Sequence, residues 1–398
     1  MREHFQGSPV HPLVRTVCSA AEVACTGLFL VLVASPLRAP AQHDVPATDS
    51  VLTTEQIATP QPPLRDSPAL KGNEWVVVPI PTLSPSQGFG VQVLGQYVFK
   101  HAAQAADTPS SIVGVGGFYT EEKSWGLGAG YMGHWQDDTW RPMAGGGYAD
   151  LHYDFYGIGN AQADYDLSVP VDQQATFGLL QLMRRIIPGL YAGLRLTASQ
   201  TSAASGGLSV PPFELQPFDI DVTTVSAGLV AQWDTRDSQF YPTRGQYANF
   251  SANFNDGDYS YQVYQADWNG YYSFGESTVL AARVFLRTAE GDAPFYALSS
   301  FGMHNDLRGY KGGKYRDHFM FATQVEYRRK LSDRWGFVVF AGVGEVAPSF
   351  SDMSGDNLLS SAGAGLRFRV AQSHPINLRL DWAYGDESCV YLGVNEAF

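Results

Sequence analysis

Few residues in this 398-residue chain stand in the spacings that chemistry requires. The nine histidines are scattered, and neither a G-x-S-x-G elbow nor an H-E-x-x-H motif occurs. Two of the three cysteines, Cys18 and Cys25, fall near the N-terminus, which leaves Cys389 without a companion for a disulfide or a metal cluster. No metal, no cofactor and no enzymatic activity is expected. His134 and His152, with Asn160 near them, would be the residues of a membrane-facing hydrolase; ordinary rim or interior histidines are the plainer reading. Two other groups ask for an explanation. Leu307-Arg308-Gly309-Tyr310 sets one arginine in a tip where its planar five-donor head can grip carboxylates in two places. Gly309 allows a close backbone turn there, and Tyr310 adds area with a polar end. In Asp234–Gly245, the residues Asp234, Arg236 and Asp237 can form a local charge network holding a tight turn, bent by Pro242 and Gly245. A solvated loop arginine needs no partner. An arginine inside a barrel does, and Glu326 or Asp381 is the carboxylate it would seek.

The elements that must position these residues are strands. Charged residues make up only 16% of the chain, while Gly (41), Tyr (21) and Phe (23) are abundant. No run approaches the roughly 18 consecutive apolar residues of a membrane helix. Instead, apolar residues alternate with small or polar ones. Phe89, Val91, Val93, Tyr97 and Phe99 alternate with Gly90, Gln92, Gln96 and Lys100, and Trp125–Trp135 and Phe319–Arg328 behave alike. Runs of ten or more residues with this period exceed ordinary soluble strands and suit a tilted membrane crossing. Trp125, Trp135, Trp140, Tyr271, Tyr272 and Trp335 mark strand ends as interfacial girdles. A soluble sandwich or propeller is the competing fold, and no blade-length repeat favours the latter. The net charge of −13 argues against nucleic acid as a partner.

In chain order, 1–41 reads as an export signal, with the apolar core Gly27–Ala34 and an A-x-A site at Ala39–Ala41. Residues 42–74 are Pro-rich and aperiodic and are expected to be a disordered periplasmic arm. Residues 75–398 are the expected all-β outer-membrane barrel. Turn signals give fifteen strands, from 89–100 to 389–398. Barrels of this kind close on an even number, so Trp75–Pro79 or Ala161–Val169 should supply a sixteenth.

Five segments in order carry a resemblance: Pro79–Gly90; Phe155–Asn160 (FYGIGN); Asp234–Gly245; Leu307–Tyr310 with Glu326-Tyr327-Arg328; and Arg379-Leu380-Asp381 with the ending Asn395–Phe398. Together they resemble the bacterial surface antigen family, the barrels of the BamA/TamA outer-membrane assembly and translocation superfamily. The resemblance implies that loop 291–316 folds into the lumen, with Arg308 directed at Glu326 and Asp381, and that Leu392, Val394 and Phe398 form a C-terminal strand signal, Phe398 sitting in the membrane interface. It implies a role in inserting or translocating protein, or lipid, through a weak seam between Phe89–Lys100 and Cys389–Phe398. Gly88, Gly90 and Gly95 would weaken pairing there. Expected partners are outer-membrane lipids and lipopolysaccharide, an unfolded client protein, and a second copy of the chain. A passive pore or a lipid or small-solute conduit is the alternative. Two departures stand out. Residues 42–74 are too few for a polypeptide-transport-associated domain, and Gly342 occupies the place where many relatives carry an inward Asp.

Overall fold

The computed structural model describes residues 74–84, 88–100, 108–159, 167–210, 213–215, 217–238, 241–294, 297–302, 306–369, 377–394 and 396–398. The expected signal and all of the expected arm except Glu74 lie outside these residues. Sixteen antiparallel strands close into one barrel. They are β1 (Glu74–Ser84), β2 (Gly88–Phe99), β3 (Ser111–Thr120), β4 (Trp125–Met132), β5 (Trp140–Phe155), β6 (Val169–Ile187), β7 (Leu190–Ser205) and β8 (Phe218–Asp234), followed by β9 (Gly245–Gly257), β10 (Tyr261–Ser273), β11 (Thr278–Gly291), β12 (Phe319–Lys330), β13 (Trp335–Ala347), β14 (Leu359–Arg369), β15 (Asn377–Tyr384) and β16 (Ser388–Val394). The sixteenth strand is the one that contains Trp75–Pro79.

Alternation decides which way each strand faces. On β12, Val325 and Tyr327 are exposed, whereas Gln324, Glu326 and Arg328 between them are almost fully buried. The same pattern exposes Val91, Val115, Leu127, Leu180, Leu196 and Leu229 around the wall. An apolar outside and a polar inside suit hydrocarbon as the surrounding medium. No helix among the described residues is long and apolar enough to cross a membrane. Tyr271 departs from the girdle expectation: it is 2% exposed and packs inside with Val279 and Ala281, and its neighbour Tyr272 faces out.

The connections divide between two rims. The tight turns at 188–189 and 331–334 share one rim, and the long connections 206–217 and 292–318 share the other. The division is incomplete, because β1–β2, β9–β10 and β15–β16 also turn within three residues at the second rim. Strands β5 to β8 run for 16, 19, 16 and 17 residues and stand well beyond that rim. Their inner faces, through Phe155, Val169, Val171 and Ala203, pack on Ala297 and Leu298 of the long connection.

The seam is where the structure most corrects the reading from sequence. The strand paired with β16 is β1, not Phe89–Lys100, and Gly88, Gly90 and Gly95 lie in the fully paired β2. Strand β1 pairs with β2 from Glu74↔Val98 to Ser84↔Gly88 but, among the described residues, meets β16 at one position, Leu83↔Leu392. Pro79 and Pro81 remove two backbone donors from β1, as befits an edge strand. The last strand ends at Val394, not Phe398. Phe398 is not in the outer interface: it packs against the inward cluster of Tyr271, Val279 and Ala281. Cys389 is buried on the inner side of β16 among Val338, Phe340, Ala383 and Tyr391.

Candidate functional site in the barrel lumen

The connection between β11 and β12 begins and ends as a short ribbon, Ser299–Ser300 paired with Arg316–Asp317. Between the ribbon strands the chain runs inward, and Phe301, Leu307, Tyr310 and Tyr315 pack with Phe285, Met320, Ala322 and Val346 of the wall. Gly309 has φ +103°, and a β-carbon there would lie 2.7 Å from the Gly385 nitrogen, so only glycine fits beside the β15–β16 turn. The tip is bonded to the last strands of the barrel and the turn between them. The Gly309 N–H donates to the Tyr391 hydroxyl at 2.8 Å, and the Tyr310 hydroxyl donates to the Ser360 carbonyl at 2.7 Å. Lys311 and Lys314 add ion pairs to Glu387 and Asp386 at 3.0 and 2.6 Å. Phe155–Asn160 also meets this loop: Gly159 N–H donates to the Arg316 carbonyl at 2.7 Å, and Gly157 and Gly159 take the positive φ that the bend requires. Asn160 is outside the described residues.

Arg308 lies at the centre, with its side chain wholly buried. Its Nη2 donates to Glu326 Oε2 and its Nη1 to Asp381 Oδ2, both at 2.7 Å, while Nε reaches Gln324 Oε1 at 3.4 Å. The guanidinium lies 3.3 Å from the centre of the Phe340 ring. Each carboxylate has a second arginine. Arg328 Nε donates to Glu326 Oε1 at 2.7 Å, and Arg367 Nη1 donates to Asp381 Oδ1. Arg367 Nε then reaches Glu396 Oε2 at 2.6 Å, and Arg328 Nη2 reaches the Phe398 carbonyl at 2.7 Å. A single chain of charge-assisted bonds therefore runs from Phe398 through the loop arginine and back to Glu396. Three arginines alternate with three carboxylates in it, and such neutrality is what allows charges to be buried at all.

Gly342 explains itself in this setting. A β-carbon there would lie 2.6 Å from Gln324 Cγ and 2.9 Å from Leu307 Cδ1. An inward Asp has no room while the loop is seated, and Gln324 occupies the space. Sequence reasoning missed Arg367 and Tyr391 altogether and gave Gln324 no role. The available signal was polar residues two apart on inward faces, Gln324-Glu326-Arg328 on β12 and Arg379-Asp381 on β15.

The other singled-out residues lie elsewhere. Asp234 and Arg236 form a bidentate pair at 2.9 and 2.8 Å in the turn before β9, with Arg236 over the Tyr247 ring. Asp237 accepts from the backbone N–H groups of Thr243 and Arg244, and Gly245 has φ +92°. Pro242 lies between these in the same turn. His134 and His152 are far apart: His134 follows β4, and His152 is twelve residues up β5, roughly 40 Å of strand away. They make no joint site. His134 instead joins a rim cluster around Asp138, which accepts from His134 Nδ1 at 2.6 Å, from Arg141 at 2.9 and 2.8 Å, and from the Tyr191 hydroxyl at 2.5 Å. Gln136, Asp137 and Asp138 are all left-handed, a conformation costing about 1–2 kcal/mol per residue that these bonds offset. Burial alone would raise the Asp138 pKa, but the bonds from His134 and Arg141 outweigh it and hold the carboxyl well below the usual range. A depressed carboxylate contributes its full stability above its unfolded pKa and loses it progressively as pH falls from there toward the folded one. The 133–139 turn should therefore resist proteolysis down to about pH 4 and grow more susceptible below it. Asp138→Asn should weaken it by about 3 kcal/mol and open it to protease at neutral pH. Unchanged cleavage in that variant would remove the cluster's assigned role.

Among the described residues, no group of His, Cys, Asp and Glu is placed to hold a metal ion. A family model for the Omp85 superfamily domain matches residues 113–389. Among solved structures, the fold is similar to BamA from Haemophilus ducreyi lacking POTRA domains 1–3. The TM-score is 0.58 and the identity 15%, over 81% of this chain and 70% of that one. It is also similar to CdiB from Acinetobacter baumannii, with TM-score 0.54 and 10% identity over 82% of this chain and 60% of that one. CdiB from Escherichia coli gives 0.52 and 11% over 81% and 63%. The chain thus spans less than two thirds of either CdiB, and at these identities the likeness is one of fold. No curated protein sequence matches significantly.

Proposed function

Because this chain belongs to the Omp85 superfamily, we propose that it is a non-enzymatic outer-membrane barrel that assists insertion or translocation of another polypeptide. Its working edge is the seam. The observation that supports this most directly is that, among the described residues, a single ladder position joins β1 to β16, against seven between β15 and β16 and eleven between β1 and β2. An edge with free backbone groups can pair with an incoming strand, which supplies the missing hydrogen bonds. The loop network sits beside that edge, since Arg308 holds Asp381 on β15 and Gly309 holds Tyr391 on β16.

A conduit for lipid or small solutes is the second reading. It draws on the inner faces of β3 to β5, where Gly116, Gly128, Gly130, Gly145 and Gly147 leave little side chain across the lumen from the loop. Reconstitution in liposomes separates the two. Faster folding of an unfolded barrel protein, with entrapped solute retained, is the expected result; solute leakage with no effect on client folding would favour the conduit.

A further inference from the structure

The chain carries a net charge of −13, yet one end of the barrel is crowded with cations. Arg328, Arg329, Lys330, Arg334, Arg367 and Arg369 all line one pocket of about 30 Å³ at the rim where β12, β13 and β14 meet. Arg328 and Arg367 face the lumen and are paired with Glu326, Asp381 and Glu396, and Lys330 pairs with Asp333 at 3.1 Å. The rest are not neutralised by acids: Arg329 donates to the Thr278 hydroxyl at 2.7 Å, and the side chains of Arg334 and Arg369 form no ion pair among the described residues. Like charges packed this closely repel one another unless an anion is shared between them. The far rim is the opposite: its outer surface carries Asp150, Asp154, Asp172 and Asp221.

Beside the cations, Leu331 and Trp335 are 63% and 50% exposed. A free phosphate needs only the cations. A cationic rim adjoining an exposed leucine and tryptophan matches the boundary where headgroup phosphates meet acyl chains. We infer that the β12–β14 rim binds the phosphate of an anionic phospholipid, whose chains lie along the outer wall beside Leu331 and Trp335. Assigning this lipid to the periplasmic leaflet rests on the outer-membrane reading above; the binding itself does not.

The test uses the whole protein reconstituted in vesicles of phosphatidylcholine and phosphatidylglycerol, extracted gently, with retained lipid counted by native mass spectrometry. Each basic residue at a membrane surface adds roughly a fivefold preference for anionic lipid, so retention of phosphatidylglycerol should exceed that of phosphatidylcholine by at least roughly tenfold. The triple variant Arg329→Gln, Arg334→Gln, Arg369→Gln should fall to near parity while keeping the heat-modifiable gel shift of a folded barrel. Equal retention of both lipids by the unmodified protein, or an undiminished preference in the folded variant, would overturn the inference. So would displacement of the lipid by excess inorganic phosphate, which would reduce the site to a simple anion pocket. Because retention is read without any client protein, failure of the assembly function would leave this result intact, and the reverse also holds.

Discussion

Arg308→Ala is expected to destabilise the barrel by about 3 kcal/mol, the lower end of the range for breaking a buried ion pair. The reason for the lower end is in the network. Glu326 keeps Arg328 and Asp381 keeps Arg367 when the loop arginine is gone, so neither carboxylate is left bare. What is lost is the bridge between them and the anchor of the loop. The denaturant midpoint of the heat-modifiable band should fall, and protease should gain access to Lys311 and Lys314. Arg308→Lys should recover only part of the loss, since an ammonium on a flexible stem cannot reproduce the fixed fork that spans both carboxylates. If Arg308→Ala left midpoint, protease access and single-channel conductance unchanged, the loop would not be held by these bonds.

The second large effect is expected at the seam. Leu83 and Leu392 are paired across it, and paired residues on antiparallel strands have Cα atoms about 4.5–5.5 Å apart, within the span of a disulfide. In a Cys389→Ser background, Leu83→Cys with Leu392→Cys should oxidise readily and abolish acceleration of client folding, with reductant restoring it. Stability should rise, because the crosslink closes a loop of some three hundred residues in the unfolded chain. A locked barrel that still accelerated client folding would show that strand exchange at this edge is not the mechanism.

The wall of the barrel was legible in the sequence because period-two alternation is a local signal that repeats in every strand. Register and the partner of the last strand were not. Trp75–Val78 is a short apolar run without alternation, and its strand character comes from pairing along all of β2. Reading from sequence makes the segment one of two candidates for the sixteenth strand, yet it places the seam at Phe89–Lys100, one strand too far along. The carboxylates of the loop arginine could be named because the resemblance carried by Glu326-Tyr327-Arg328 and Arg379-Leu380-Asp381 favoured both, but Arg367 joins them from a third strand, and Glu396 only through the curl of the last three residues. Nothing in the spacing of Glu396 and Phe398 distinguishes a continued strand from one that ends at Val394 and turns inside. Gly342 shows the same limit: its meaning depends on Gln324 and Leu307, which approach it from another strand and from a loop.

Cys389 has a consequence of a practical kind. It is 3% exposed, it lies on the strand at the proposed seam, and no other cysteine occurs among the described residues. If the seam parts by detachment of β16, the alkylation rate of Cys389 under native conditions should be the intrinsic thiol rate multiplied by the fraction of time β16 is detached. Nature has placed a clock on the hinge side of the door, and it can be read without engineering the protein at all.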